Sequence, residues 1–227
     1  MDIQGLQKLT LLDYPGHVAC TVFLGGCDLR CPFCHNAELI GAAPALMGEE
    51  ELLAFLKKRQ GILEGVAFTG GEPLLRPGLP ALLRRVRALG YPVKLDTNGT
   101  GPKMLGDLLN AGLLDYVAMD IKNSPSLYAK TCGGRDVLEA VKESAGLLLK
   151  GTADYEFRTT VCAPLHTPES MADIGQWLQG ARRYFLQPFE NPGALVGSGV
   201  TALQDTELDR LREAVLPYIP NTQIRGR

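Results

Sequence analysis

HVACTVFLGGCDLRCPFCHN, residues 17–36, begins as a strand and ends as a binding loop. HVACTVFL (17–24) is apolar and β-branched, the composition of a strand buried on both faces. The glycine pair at 25–26 breaks it. Three cysteines then fall within eight positions, Cys27, Cys31 and Cys34, spaced C-x3-C-x2-C. A strand whose chemistry sits in the loop beyond its carboxyl end is the habit of parallel α/β sheets and barrels.

The pattern repeats along the chain. GVAFTG (65–70), PVKLDTNG (92–99), DYVAMDIK (115–122), DYEFRTTVC (154–162) and RRYFLQPF (182–189) read as further strands. Helical spacing follows each of the six, over 49–59, 78–90, 101–112, 135–151, 168–180 and 206–218. Repeated βα units demand a parallel sheet with right-handed crossovers. A doubly wound sheet and a barrel both fit this order. A full eight-unit barrel takes about 250 residues, so six units in 227 residues predict a partial (β/α)6 TIM-like barrel. No linker divides the chain, which is expected to form a single domain over 1–227. The polar signatures gather at strand ends: TGGEP (69–73), DTNG (96–99), MDIK (119–122) and Gln187, with Arg158 on the fifth strand.

At 45% hydrophobic and 21% charged, the chain can build a sizeable core. A net charge of −2 does not suggest a nucleic-acid binder. The opening MDIQGLQKLTLLDYPG lacks the basic start and apolar core of a signal peptide, and no apolar run is long enough for a bilayer. The expected setting is the cytoplasm, with no membrane partner. In a reducing compartment, crowded cysteines favour a metal site over disulfides. Cys20 and Cys162 lie in apolar runs and read as core, as does Trp177 beside Ile174. His17 and His166 have no motif around them, and Cys132, in TCGG, has no legible role. The basic runs KKR (57–59) and RRVR (84–87) read as solvated charge.

Three closely spaced thiolates suit an iron–sulfur cube with one iron left open for substrate. The alternative is zinc held by the cysteines and His35. Asp96 and Asp120, ending neighbouring strands, could form a general acid–base pair.

The loop, with Phe33 before its last cysteine, is similar to the signature of the radical S-adenosylmethionine (SAM) superfamily, and TGGEP to its second motif. CPFCHN, GGEP, DTNG and MDIK together resemble the glycyl-radical-enzyme activases, and the longer type that activates anaerobic ribonucleoside-triphosphate reductase in particular. LTLLDYPG and YEFRTTV fit that type, so the resemblance runs from about residue 5 to the end. It implies a radical SAM core, one [4Fe–4S] cluster on Cys27, Cys31 and Cys34, and SAM as the missing fourth ligand. It implies that the cluster's electron cleaves a carbon–sulfur bond and releases a 5′-deoxyadenosyl radical, which takes hydrogen from a glycine of the partner enzyme. An electron donor, flavodoxin or ferredoxin, is implied as well.

By the same resemblance, Gly70 and Gly71 let the backbone approach the methionine moiety, where an added side chain would crowd the ligand. Glu72 holds that loop, or is a solvated turn carboxylate. Phe33 and His35 lie near the adenine, unless His35 donates to cluster sulfur. Asp96, Thr97 and Asp120 form a monovalent cation site. Lys122 and Arg158 offset the SAM carboxylate, unless Arg158 pairs with Asp120 or Asp96. Gln187 stands where a relative has a histidine. With no cysteine over 35–69, a second cluster is not expected. Two rivals stand beside this reading. One is a small-molecule radical SAM enzyme such as a 7-carboxy-7-deazaguanine synthase; the other is a non-catalytic zinc or iron–sulfur module.

Overall fold

The computed structural model describes residues 3–34, 36–41, 44–151, 153–191, 193 and 195–226. Among them the strands are β1 (Ile3–Thr10), β2 (Ala19–Leu24), β3 (Gly65–Gly70), β4 (Val93–Thr97), β5 (Tyr116–Asp120), β6 (Asp154–Val161), β7 (Tyr184–Pro188) and β8 (Thr222–Ile224). The helices are α1 (Glu49–Lys58), α2 (Leu79–Ala88), α3 (Pro102–Asn110), α4 (Tyr128–Thr131), α5 (Leu138–Lys150), α6 (Pro168–Trp177) and α7 (Asp205–Val215). The strands stand in the sheet in chain order. β1 runs antiparallel to β2, while the β2–β3, β3–β4, β6–β7 and β7–β8 pairs are parallel.

Contacts divide the chain into two units, one made of Met1–Asp28, Glu38–Thr97 and Gly101–Ala118, the other of Leu29–Ala37, Asn98–Thr100 and Met119–Arg227. In the first, β2 and β3 are continuous apolar runs because both faces are covered. Val22, Leu24, Val66, Phe68, Val93 and Leu95 are fully buried. The register sets Leu24 opposite Gly70 and Phe68 opposite Leu95. α2 has Pro80 in its first turn and buries Leu79, Leu82, Leu83 and Val86, the i, i+3, i+4, i+7 stripe. Gly90, at φ +90°, ends it in the left-handed conformation that glycine adopts most readily.

In the second unit Phe157, Val161, Tyr184 and Leu186 form the buried side of β6 and β7. α5 buries Val141, Ser144, Ala145 and Leu148 with the same helical spacing. α6 opens with a capping box: Thr167 Oγ1 accepts from Ser170 N at 3.3 Å, and Ser170 Oγ accepts from Thr167 N at 3.0 Å.

The six strands and six helices read from periodicity are present. β1 and β8 were not anticipated. β1 reads IQGLQKLT, whose burial does not alternate and whose pairing with β2 shifts register twice. β8 has three residues, too few to show a period. Trp177 corrects the core expectation. It is half-buried, because Ile174 faces inward while the indole packs edge-on against Tyr128, with ring centroids 6.1 Å apart. Thr167→Ala should cost about 1 kcal/mol by removing the α6 cap, and thermal unfolding of the variant measures it.

Candidate functional site

In the first unit the chemistry centres on the turn after β3. Gly70 takes φ +122°. A Cβ there would overlap the backbone of Leu24, and one at Gly71 would overlap the carbonyl oxygen of Gly26. The turn is tied to the end of β2 by Gly71 N donating to Leu24 O and Glu72 N donating to Gly26 O, both at 2.8 Å. Cys27 follows directly. Both glycines are therefore required by the neighbouring backbone. The side chain expected to crowd a ligand at Gly71 meets Gly26 first, and would displace the start of the cysteine loop.

Glu72 is fully buried, which overturns the reading of a solvated turn carboxylate. Its Oε1 accepts from Leu74 N at 3.0 Å and from Thr97 Oγ1 at 2.7 Å. One carboxylate thus holds both the turn after β3 and the end of β4. Asp96, the residue before Thr97, is ion-paired with Lys94, whose side chain is 2% exposed. The K-x-D spacing puts both on one face of β4. That spacing was the available signal for Lys94, which the motif reading passed over. Arg76 was also missed. It lays its guanidinium against Gly26, and its Nε is buried without a hydrogen-bond partner among the described residues.

In the second unit Asp120 ends β5 between two cations. Lys122 Nζ lies 3.0 Å from Oδ2, and Arg158 Nε lies 2.8 Å from Oδ1. Burial alone would push the Asp120 carboxyl up, but Arg158 and Lys122 outweigh it and hold it at about 2. The alternative of an Arg158–Asp120 ion pair is the arrangement present. Asp96 and Asp120 each have a protein cation as a neighbour.

Cys31 and Cys34 belong to the same unit. The Cys132 thiol hydrogen-bonds to Cys31 and lowers its pKa to about 7 against the cost of burial, helped by the charge of Lys122. Burial raises Cys34, with Lys122 pulling the other way. Cys20 and Cys162 are buried and pushed up to about 12, the behaviour of core thiols. Phe33 is 3% exposed, with its ring edge toward His166 at 6.0 Å. His166 is buried: Nε2 donates to Lys122 O at 3.0 Å, and Nδ1 accepts from Cys162 N at 3.1 Å. The imidazole thus fixes the backbone that carries Lys122, a structural role that only tertiary contact reveals. Gln187 is half-buried near the carboxyl end of β7, in register with Thr160. His35 lies outside the described residues. Among the described residues, no three His, Cys, Asp or Glu side chains gather closely enough to hold a metal ion.

Two measurements test this geometry. Asp120→Asn leaves Lys122 and Arg158 without their shared counter-charge and should cost roughly 3 kcal/mol at neutral pH. A carboxyl depressed on folding contributes stability above its unfolded value near 4 and loses it as pH falls through about 2. The stability gap between variant and parent should therefore close over that window in acid unfolding. Second, Cys27→Ala, Cys31→Ala and Cys34→Ala should each abolish iron binding after anaerobic reconstitution, while Cys20→Ala and Cys162→Ala retain it. Gly71→Ala should lower iron content too, through its clash beside Cys27.

Residues 21–179 match the family model of the radical SAM superfamily. The chain is 30% identical, over 98% of its length and 95% of the relative's, to the "Putative glycyl-radical enzyme activating enzyme MJ1227" of Methanocaldococcus jannaschii. It is 29% identical to the 7-carboxy-7-deazaguanine synthase of Thermococcus kodakarensis, over 74% of this chain and 73% of that one. Among solved structures, SuiB of Streptococcus suis bound to its precursor peptide SuiA superposes with a TM-score of 0.69 at 16% identity. That match covers 91% of this chain and 48% of SuiB, so the chain spans about half of it. At that identity the likeness shows the fold, the partial barrel of radical SAM enzymes. Sequence match and fold agree, and the chain belongs to the radical SAM superfamily.

Proposed function

We propose that this radical SAM enzyme generates a glycyl radical on a partner protein, and that the partner is the large subunit of anaerobic ribonucleoside-triphosphate reductase. The observation that carries the reading is the near end-to-end match to a protein named as a glycyl-radical enzyme activating enzyme. The superfamily works with a [4Fe–4S] cluster and SAM, and the donor set fits that cluster. A cube binds each thiolate to a separate iron, whereas zinc needs four donors converging on one point. Three cysteines spaced along one loop suit the first arrangement. When bound, the reduced cluster supplies the electron that cleaves SAM to a 5′-deoxyadenosyl radical.

In this reading Cys27, Cys31 and Cys34 ligate the cluster. Gly70, Gly71 and Glu72 act first on the protein: they fix the start of the cysteine loop and the end of β4, and so fix where the SAM methionine moiety rests. Asp96 and Thr97 present their strand end to the ligand. Lys122 and Arg158 reach SAM as a pair already half-neutralised by Asp120, which favours orienting a carboxylate over simple charge attraction. Phe33 and Gln187 are further SAM contacts in this reading. A flavodoxin or ferredoxin supplies the electron, and the setting is cytoplasmic. Among the described residues no helix is long and apolar enough to cross a membrane.

The test mixes reduced protein, SAM and the reductase of the same cell under anaerobic conditions. A stable glycyl doublet should appear in the electron paramagnetic resonance spectrum, with 5′-deoxyadenosine in comparable amount. It should vanish when the reductase's radical glycine is replaced by alanine. The match to 7-carboxy-7-deazaguanine synthase favours a second reading, a small purine-like substrate. Turnover of such a molecule, with no protein radical, would decide for it.

A further inference from the structure

The glycine pair that opens the cysteine loop makes room for two side chains. A Cβ at Gly25 would lie 1.9 Å from Gln4 Oε1, and one at Gly26 would lie 1.8 Å from Arg76 Nη2. Arg76 Cζ and Nη1 stand 3.1 and 3.8 Å from that second point, so the guanidinium lies across Gly26. Both residues are fixed by their backbones. Gly26 N donates to Leu39 O at 2.6 Å, and Gly26 O accepts from Glu72 N at 2.8 Å. Arg76 N donates to Pro73 O, and Arg76 O accepts from Leu79 N, both at 3.0 Å. Cys27 follows Gly26 directly. Consecutive Cα atoms are about 3.8 Å apart, so bond lengths alone keep the guanidinium within roughly 10 Å of the Cys27 sulfur.

We propose that Arg76 is a positioning residue: its guanidinium, held across Gly26, sets an uncancelled positive charge beside Cys27 and so raises the reduction potential of the cluster. The proposal rests on the reading of Cys27 as an iron ligand. A cluster that takes an electron gains one negative charge, and a fixed cation nearby stabilises it. Net charge is among the factors that set such potentials. What matters is whether the cation has a counter-charge of its own. Lys94, Lys122, Arg158 and Arg225 each have a carboxylate partner, which reduces their reach to that of a dipole. Arg76 is half-buried, and among the described residues it has no carboxylate within ion-pair distance and its buried Nε has no hydrogen-bond partner. A cation held in this way is costly unless negative charge lies near, and the thiolates of the loop supply it. Glu72, in the same turn, opposes the effect, but it is engaged by Leu74 N and Thr97 Oγ1 and does not pair with Arg76. At roughly 10 Å and an effective dielectric near 20, one unit charge shifts the reduction equilibrium about tenfold.

The test compares wild type with Arg76→Met, which fills the space without charge, and Arg76→Lys, which keeps the charge. Each is reconstituted anaerobically, its iron counted, and its cluster titrated potentiometrically by electron paramagnetic resonance. All three should hold about four irons. The methionine variant should be reduced at a more negative potential, by about one tenfold step in the reduction equilibrium, or about 59 mV for one electron. The lysine variant should stay closer to wild type than to the methionine variant. Arg76→Gln gives the same uncharged comparison if methionine disturbs folding. The proposal is overturned if the uncharged variants keep the wild-type potential, or if lysine falls as far as methionine. It is overturned too if a folded uncharged variant loses its iron, which would make the guanidinium a brace for the loop. A cluster that survives Cys27→Ala would overturn the ligand assignment instead, a different outcome in the same experiment.

Discussion

The missing Cβ atoms at Gly70 and Gly71 are the constraint on which the first unit depends. They let the backbone beyond β3 lie directly against the end of β2, where two amide donors lock onto Leu24 and Gly26. Everything downstream inherits that closeness. The cysteine loop leaves from Gly26, and Glu72 is carried inward far enough to accept from both Leu74 and Thr97. A fully buried carboxylate is tolerable only because its lone pairs are met. A turn built this way is rigid before any ligand arrives, which is what a site that must orient a reactive molecule requires.

The second unit solves a different problem, that of keeping several charges in little water. Asp120 takes Lys122 on one oxygen and Arg158 on the other, and the three lie on or next to adjoining strand positions fixed by backbone pairing. Removing Asp120 would strand both cations, since a largely buried ion without its partner is far costlier than a pair. His166 supports the arrangement without carrying charge. Burial lowers its pKa, and the neutral ring with its proton on Nε2 satisfies both the Lys122 carbonyl and the Cys162 amide.

Much of this was legible in the sequence, for identifiable reasons. β2, β3 and β5 are dense apolar runs, and α2 and α5 carry clean apolar stripes, so local pattern and tertiary role coincide. Most of the motif residues stood out in the sequence because they follow or end a strand, while Arg158 lies within one. What escaped depends on contacts between distant segments. β1 owes its conformation to its bulged pairing with β2. His166 meets Lys122 across 44 positions. Cys132 is buried against a loop about a hundred residues earlier. The glycines were recognised, but the reason for them was not. Spacing shows that a position wants no side chain, while only coordinates show whether a ligand or a carbonyl oxygen occupies the room.

The lone tryptophan has a use that none of this anticipates. Trp177 stands edge-on to Tyr128, the residue that opens α4, and the tyrosine hydroxyl accepts from the amide of Lys122 at 3.3 Å. α4 then runs directly into Cys132. The chain's single indole is therefore wired, through one aromatic contact, to the short segment that bears on Cys31. Its emission is a built-in optical reporter of that segment. It needs no label, it can be read in a sealed anaerobic cuvette, and no second indole obscures it.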